Sequence, residues 1–107
     1  MQEITIQQLE EWRQAHHDFM LLDVREEHER EAGHIGGHWL PMAEVIRQHE
    51  TIPREKPVVV YCRKGVRSAI VIQRLEDKYG FTNLFNLAGG MSAWQIMKKQ
   101  DQLSDEP

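Results

Sequence analysis

A single cysteine, Cys62, opens the segment Cys62-Arg-Lys-Gly-Val-Arg-Ser68. Val58, Val59 and Val60 lead into it and favour a strand, while the residues after Arg67 favour a helix. A thiol placed between the two lies beside a helix N-terminus, whose positive end favours the ionised sulfur. The thiolate is the nucleophilic form. Arg63, Lys64 and Arg67 surround it with positive charge. The chain must curl back between Cys62 and Ser68, and so compact a curl aims backbone N–H groups inward as an anion-binding nest. Gly65 relieves the steric limit on φ that such a curl imposes. The expectation is a Cys62 nucleophile with a lowered pKa. Arg63, Lys64, Gly65, Val66, Arg67 and Ser68 form the cradle that draws in an anionic substrate. A free cysteine is often only a small buried hydrophobe, but the Arg-Lys-Gly context argues against that here.

Spacing separates the chemistries open to such a loop. Tyrosine phosphatases carry Cys-x5-Arg, usually with His before the cysteine, whereas here Tyr61 precedes Cys62 and Arg67 arrives one residue early. The tighter cradle suits a sulfur atom carried on the cysteine better than a tetrahedral phosphoryl group. Arsenate reduction is also disfavoured, because one cysteine leaves no internal resolving thiol.

The elements that must position this loop alternate along the chain. Thr5 and Gln8 read as a capping box for a helix from about Ile6 to Ala15, after a very short strand at Ile4. Phe19 to Val24 reads as a strand buried on both faces, followed by a helical turn from Arg25 to Glu31 closed by Gly33. A short strand at Trp39-Leu40 precedes a helix from Met42 to His49. After the strand Val58–Tyr61 comes a helix from Ser68 to Tyr79, stopped by Gly80. A strand from Asn83 to Leu87, a tight turn at Gly89-Gly90 and a helix from Met91 to Lys98 complete the pattern. This alternation predicts an α/β domain with a mainly parallel sheet covered by helices on both sides. Ligands of such sheets bind beyond the carboxyl ends of strands, where Cys62 falls.

At this point the chain resembles the rhodanese family of single-domain sulfurtransferases. The resemblance is carried by Leu22-Asp-Val-Arg25 with Glu29 and Gly33-His-Ile35, by Val59 to Ser68, and by Leu87-Ala-Gly-Gly-Met-Ser-Ala-Trp94. It spans about residues 4–98 and implies a five-stranded, mainly parallel sheet. It also implies a two-step reaction in which Cys62 takes sulfane sulfur from a donor as a persulfide and passes it to an acceptor. The Arg63-Lys64 pair resembles the loops of thiosulfate-using members, while mercaptopyruvate-using members tend to have small polar residues there. The partners expected are therefore a small sulfur-donor anion and a thiol, protein-thiol or cyanide acceptor. One departure stands out: Gly33-His-Ile-Gly-Gly-His-Trp-Leu-Pro41 is one residue shorter than many members, with His38 and Trp39 replacing small or aliphatic residues. That change is expected to reshape the wall beside the third strand.

Other residues carry weaker signals. Asp23 at a strand end is expected to support the site by fixing a turn or pairing with an arginine. Arg25 is expected to pair with Glu29 or to help bind an anion. Gly36 and Gly37 make a helix across His34 and His38 improbable, so no metal site is expected, and no cofactor is called for. Trp94, in helical spacing with Met91 and Met97, reads as core. Gly89-Gly90 reads as turn chemistry, with the alternative that its backbone borders the active site.

The bounds agree with this class. The chain has 107 residues, 40% hydrophobic and 28% charged, and a formal net charge of −4. That suits one domain over residues 1–99 with a polar, frayed tail over 100–107. The acidic balance argues against a nucleic-acid binder. No apolar run suits a membrane span or a signal peptide, so a cytoplasmic monomer is expected. A different class of function, a non-catalytic sulfur carrier or persulfide-sensing partner-binding domain, fits the same cysteine.

Overall fold

The computed structural model describes residues 1–104. Five strands, β1 (Gln2–Ile4), β2 (Met20–Asp23), β3 (His38–Trp39), β4 (Val58–Tyr61) and β5 (Leu84–Leu87), form one sheet in the order β1-β5-β4-β2-β3. Every pairing is parallel. Four α-helices lie between them, α1 (Ile6–Gln14), α2 (Glu27–Ala32), α3 (Met42–Val45) and α4 (Val66–Tyr79), and α5 (Gly90–Ser104) follows β5. This is the α/β architecture expected, with each parallel crossover made through helical or turn segments.

The central strand β4 explains how the sheet separates two cores. Alternate side chains of a strand point to opposite faces. Val58 and Val60 enter a cluster with Val45, Val71, Ile72 and Leu75 from α3 and α4. Val59 and Tyr61 enter the opposite cluster with Ile6 and Leu9 of α1 and Met91 of α5. All four β4 residues are fully buried, which is why the run is apolar without interruption. Continued by one residue, the same alternation carries Cys62 to the α4 side.

Local signals set most element ends. Thr5 Oγ1 accepts from the Gln8 amide at 3.1 Å, and Gln8 Oε1 accepts from the Thr5 amide at 2.9 Å, so the expected capping box starts α1. Gly80, at φ 68°, ends α4 in the left-handed conformation that favours glycine. Several ends differ from expectation: α2 starts at Glu27 rather than Arg25 and β3 covers His38–Trp39 rather than Trp39-Leu40, and three further differences concern α3, α4 and α5. Helix α3 stops at Val45, and a separate 3-10 turn follows at His49–Thr51, where the His49 ring stacks on Tyr79 at 3.6 Å. Helix α4 starts at Val66 rather than Ser68, because Gly65 takes the cap position. Helix α5 runs on to Ser104, so residues 100–104 of the expected tail are helical and residues 105–107 lie outside the described residues.

Candidate active site

Cys62 leaves β4 directly beneath the first turn of α4. Gly65, with φ 97° and ψ 0°, turns the chain into the helix and aims its own amide at the sulfur. The Gly65 N–H donates to Cys62 Sγ at 3.1 Å and the Ser68 N–H donates at 3.4 Å, while Ser68 Oγ lies 3.3 Å away. These groups converge on the sulfur, with fewer amides reaching it than the curl alone implies. Val66 turns outward and is 66% exposed.

Burial pushes the Cys62 thiol up, but hydrogen bonds from the Ser68 hydroxyl and from the backbone of Ser68, Gly65 and Lys64 outweigh it. The net result is a pKa below the ordinary thiol value. The main lowering groups are thus uncharged donors, not the three cations that the sequence placed around the sulfur. Arg67 is engaged elsewhere: its guanidinium grips both oxygens of Glu29 on α2, at 2.6 and 2.8 Å. Arg67 and Cys62 still attract each other through space. Arg63 and Lys64 are exposed.

Cys62 is also more enclosed than a position at a pocket mouth implies. The residue is 1% exposed and joins the core cluster on the α4 side of the sheet. A cleft of about 650 Å³ opens beside it, lined by Arg25, His28, Glu29, His34, Arg63 and Trp94 among others. Cys62 is not among the described residues that line this cleft. Trp94 therefore serves two surfaces, since it also packs against the core cluster of Met91 as its spacing suggested.

Asp23 is fully buried and holds Arg25 by two bonds of 2.9 Å, with Arg30 Nη1 at 3.4 Å. Burial pushes the Asp23 carboxyl up, and its bonds to Arg25 more than offset this, leaving its pKa low. The expected Arg25–Glu29 pair does not form. Arg25 instead spends its guanidinium on Asp23 and on the Gly33 carbonyl, 2.8 Å away, while Glu29 takes Arg67. Only 5% exposed, Arg25 braces the turn after β2 and contributes one wall of the cleft. In the shortened segment, Gly37 has φ 82°, and an added Cβ would lie 2.2 Å from the Leu21 carbonyl oxygen. Trp39 swings back to donate its indole N–H to the Arg25 carbonyl at 2.8 Å.

Two further residues complete the surroundings of Cys62: Asn86 is not singled out by the sequence, whereas Gly90 reads there as turn chemistry, with the alternative that its backbone borders the site. Asn86 on β5, 5% exposed, donates to the Gly65 carbonyl at 3.0 Å and accepts from the Ser68 hydroxyl at 2.5 Å. The only hint in the sequence is a polar residue inside an apolar strand. Gly90 is the second. An added Cβ there would sit 2.3 Å from the Cys62 carbonyl oxygen, so only glycine allows α5 to dock. The Met91 and Ser92 amides then donate to the carbonyls of Cys62 and Arg63, each at 2.9 Å. The unpaired N–H groups at the start of α5 thereby fix the backbone of the cysteine itself.

A cysteine whose sulfur accepts from two main-chain amides, at the carboxyl edge of a five-stranded parallel sheet, marks the class of domain. The chain belongs to the rhodanese-like domain family, whose pattern matches residues 5–97. It is 40% identical over 86 residues to the uncharacterized protein YqhL of Bacillus subtilis, covering 79% of this chain and 68% of that one. It is 36% identical over 92 residues to the thiosulfate sulfurtransferase GlpE of Coxiella burnetii, covering 84% and 85% of the two chains. A crystal structure of a rhodanese-like domain protein from Staphylococcus aureus superposes with a TM-score of 0.80 at 28% identity, over 88% of this chain and 91% of that one.

Proposed function

We propose that this protein is a sulfurtransferase that moves sulfane sulfur from an anionic donor such as thiosulfate to a thiol or cyanide through a Cys62 persulfide. The observation that carries the reading is the pair of amides, Gly65 and Ser68, directed at Sγ. In the first step the Cys62 thiolate attacks the outer sulfur of thiosulfate, and the sulfur–sulfur bond of the donor breaks. Sulfite leaves with the bonding pair, and the persulfide carries its negative charge on the outer sulfur. In the second step an acceptor thiolate or cyanide attacks that outer sulfur and restores the Cys62 thiolate. Arg63 and Lys64, exposed on the loop, attract the donor anion and offset the charge of departing sulfite. Val66 and Arg67 complete the loop that holds the outer sulfur. Asp23 and Arg25 brace the wall beside it. No metal or cofactor takes part, and the protein works as a monomer in the reducing cytoplasm.

The enclosure of Cys62 favours a second reading, a sulfur carrier or persulfide sensor that binds a partner protein. A sulfur carried on a cysteine that is itself 1% exposed would be shielded from small thiols. Incubation with thiosulfate and intact-mass measurement test the first half-reaction, which adds one sulfur to the wild type and none to Cys62→Ser. Turnover to thiocyanate with added cyanide then supports the enzyme, whereas a stable adduct without turnover supports the carrier. Absence of any adduct with several sulfane donors overturns both.

A further inference from the structure

The Ser68 hydroxyl has one proton and two neighbours that compete for it. Gly65 presents a carbonyl oxygen to Asn86, so the Asn86 group facing it must be the NH2, at 3.0 Å. That leaves Oδ1, which only accepts, facing Ser68 Oγ at 2.5 Å. The hydroxyl proton therefore points at Asn86. Toward Cys62, 3.3 Å away, the same oxygen acts as an acceptor for the S–H proton. A thiolate reverses that requirement, because it has no proton to give. We propose that Ser68 is a two-position switch for Cys62 and that Asn86 is the positioning residue that holds it in the thiol setting.

The step balances without a further reactant. When Cys62 ionises, its proton leaves to solvent and no proton passes between Ser68 and the sulfur. The Ser68 O–H turns about its Cβ–Oγ bond from Asn86 Oδ1 to Sγ, and the Asn86 oxygen loses its donor. Asn86 thus opposes ionisation through Ser68, while its NH2 still anchors Gly65. When sulfur is added, the charge moves to the outer atom, Sγ becomes a poor acceptor, and the hydroxyl returns to Asn86. The competition takes place away from water: Ser68 is fully buried and Asn86 is 5% exposed. Of the charged groups on its own loop, Arg67 attracts the sulfur through space with Glu29 of α2 behind it, while Arg63 and Lys64 are exposed. Beyond these, the Asp23–Arg25 pair closes the end of β2 beside Tyr61, while β5 and the first turn of α5 contribute no charged residue.

The switch concerns the same cysteine as the sulfurtransferase reading and rests on its use of the thiolate, but its test reads ionisation alone. A protein that fails to transfer sulfur would leave this result standing. The pH profile of iodoacetamide alkylation is measured on the wild type, Asn86→Leu, Ser68→Ala and the double variant, each checked for folding by circular dichroism. Asn86→Leu frees the hydroxyl for the sulfur. It is expected to lower the alkylation midpoint by about half to one pH unit, a roughly three- to tenfold change in the ionisation constant. In the Ser68→Ala background the same substitution is expected to produce no downward shift. An upward shift on Asn86→Leu, or an equal shift in both backgrounds, overturns the switch and leaves Asn86 a purely structural clamp. Should Asn86→Leu not fold, Asn86→Val removes the acceptor with a residue suited to a strand and carries the same expectation and the same overturning result.

Discussion

Glu29 on α2 and Arg67 on α4, 38 residues apart in the chain, meet in a forked pair with N–O distances of 2.6 and 2.8 Å. The pair ties the segment after β2 to the helix that starts at the cysteine loop, and it engages the Arg67 guanidinium on the Glu29 carboxylate rather than on the thiol. Its bond to Arg67 holds the Glu29 carboxyl at about 2 instead of 4.5. A lowered carboxyl pKa stabilises the fold above the unfolded value. The contribution is therefore complete above pH 4.5 and is lost as the pH falls from 4.5 to about 2. Because the pair is partly solvated, Glu29→Gln is expected to cost only roughly 1–2 kcal/mol near neutral pH. Urea titrations of wild type and variant at pH 7 and pH 2.5 check this, and the difference between the two proteins should shrink at the lower pH.

Asp23 behaves differently because it is fully buried against Arg25. Asp23→Asn leaves the nearly buried Arg25 guanidinium, at the wall of the cleft, without its counter-charge. A loss of about 3–5 kcal/mol is expected, as for other broken buried pairs. Thermal melting measures it, and a change below about 1 kcal/mol would show that Arg25 finds another partner.

Gly90 is expected to tolerate no side chain. Its φ is 51°, and a methyl group would meet the Cys62 and Arg63 carbonyl oxygens at 2.3 and 2.8 Å. Gly90→Ala must push α5 off the loop and break the Met91 and Ser92 bonds that fix the cysteine backbone. A destabilisation of about 2–4 kcal/mol is expected from the clash and the positive φ together. Amide exchange should speed up at Met91 and Ser92, which is the local signature of undocking.

The alkylation midpoint of Cys62 in the wild type is expected below the ordinary thiol value of about 8.5. Its hydrogen-bond donors favour the ionised form over the opposing effect of burial. A depressed thiol pKa stabilises the fold above the unfolded value, and that gain is lost as the pH falls through the folded value. Alkylation rates across pH 5 to 10 report the midpoint; enclosure slows the absolute rate without moving it.

Arg63→Ala is expected to raise the thiosulfate KM roughly three- to tenfold with a smaller effect on kcat, since an exposed charge steers the anion more than it stabilises bond breaking. The rise should fade as salt is added. A KM indifferent to both the substitution and ionic strength would remove Arg63 from donor binding.

The capping box at Thr5 and Gln8, the β4 run ending at Tyr61 and the Gly80 stop were legible because each is written within a few consecutive residues. The nest around Cys62 was legible for the same reason: Gly65 and Ser68 lie three and six positions beyond it. The end of α3 was less so, since Val45 is followed by a 3-10 turn held by the stacking of His49 on Tyr79. The identity of the partners of Arg25, Glu29 and Arg67 was not legible either. An i,i+4 pairing of Arg25 with Glu29 is the natural local guess, and it lost to the buried Asp23 carboxylate only two residues before Arg25.

By itself the sequence determined that a lone thiol would follow a buried strand, turn at a glycine and enter a helix, because backbone preference and side-chain alternation act over short spans. The tertiary structure alone decided what that thiol touches. Strand β5 brings Asn86 to the Ser68 hydroxyl, α5 docks through Gly90 onto the Cys62 carbonyl, and α2 claims Arg67 for Glu29. Those contacts join residues 18 to 38 positions apart. They follow from parallel strand pairing, which the chain achieves through crossovers and which sets β5 and β2 on either side of β4.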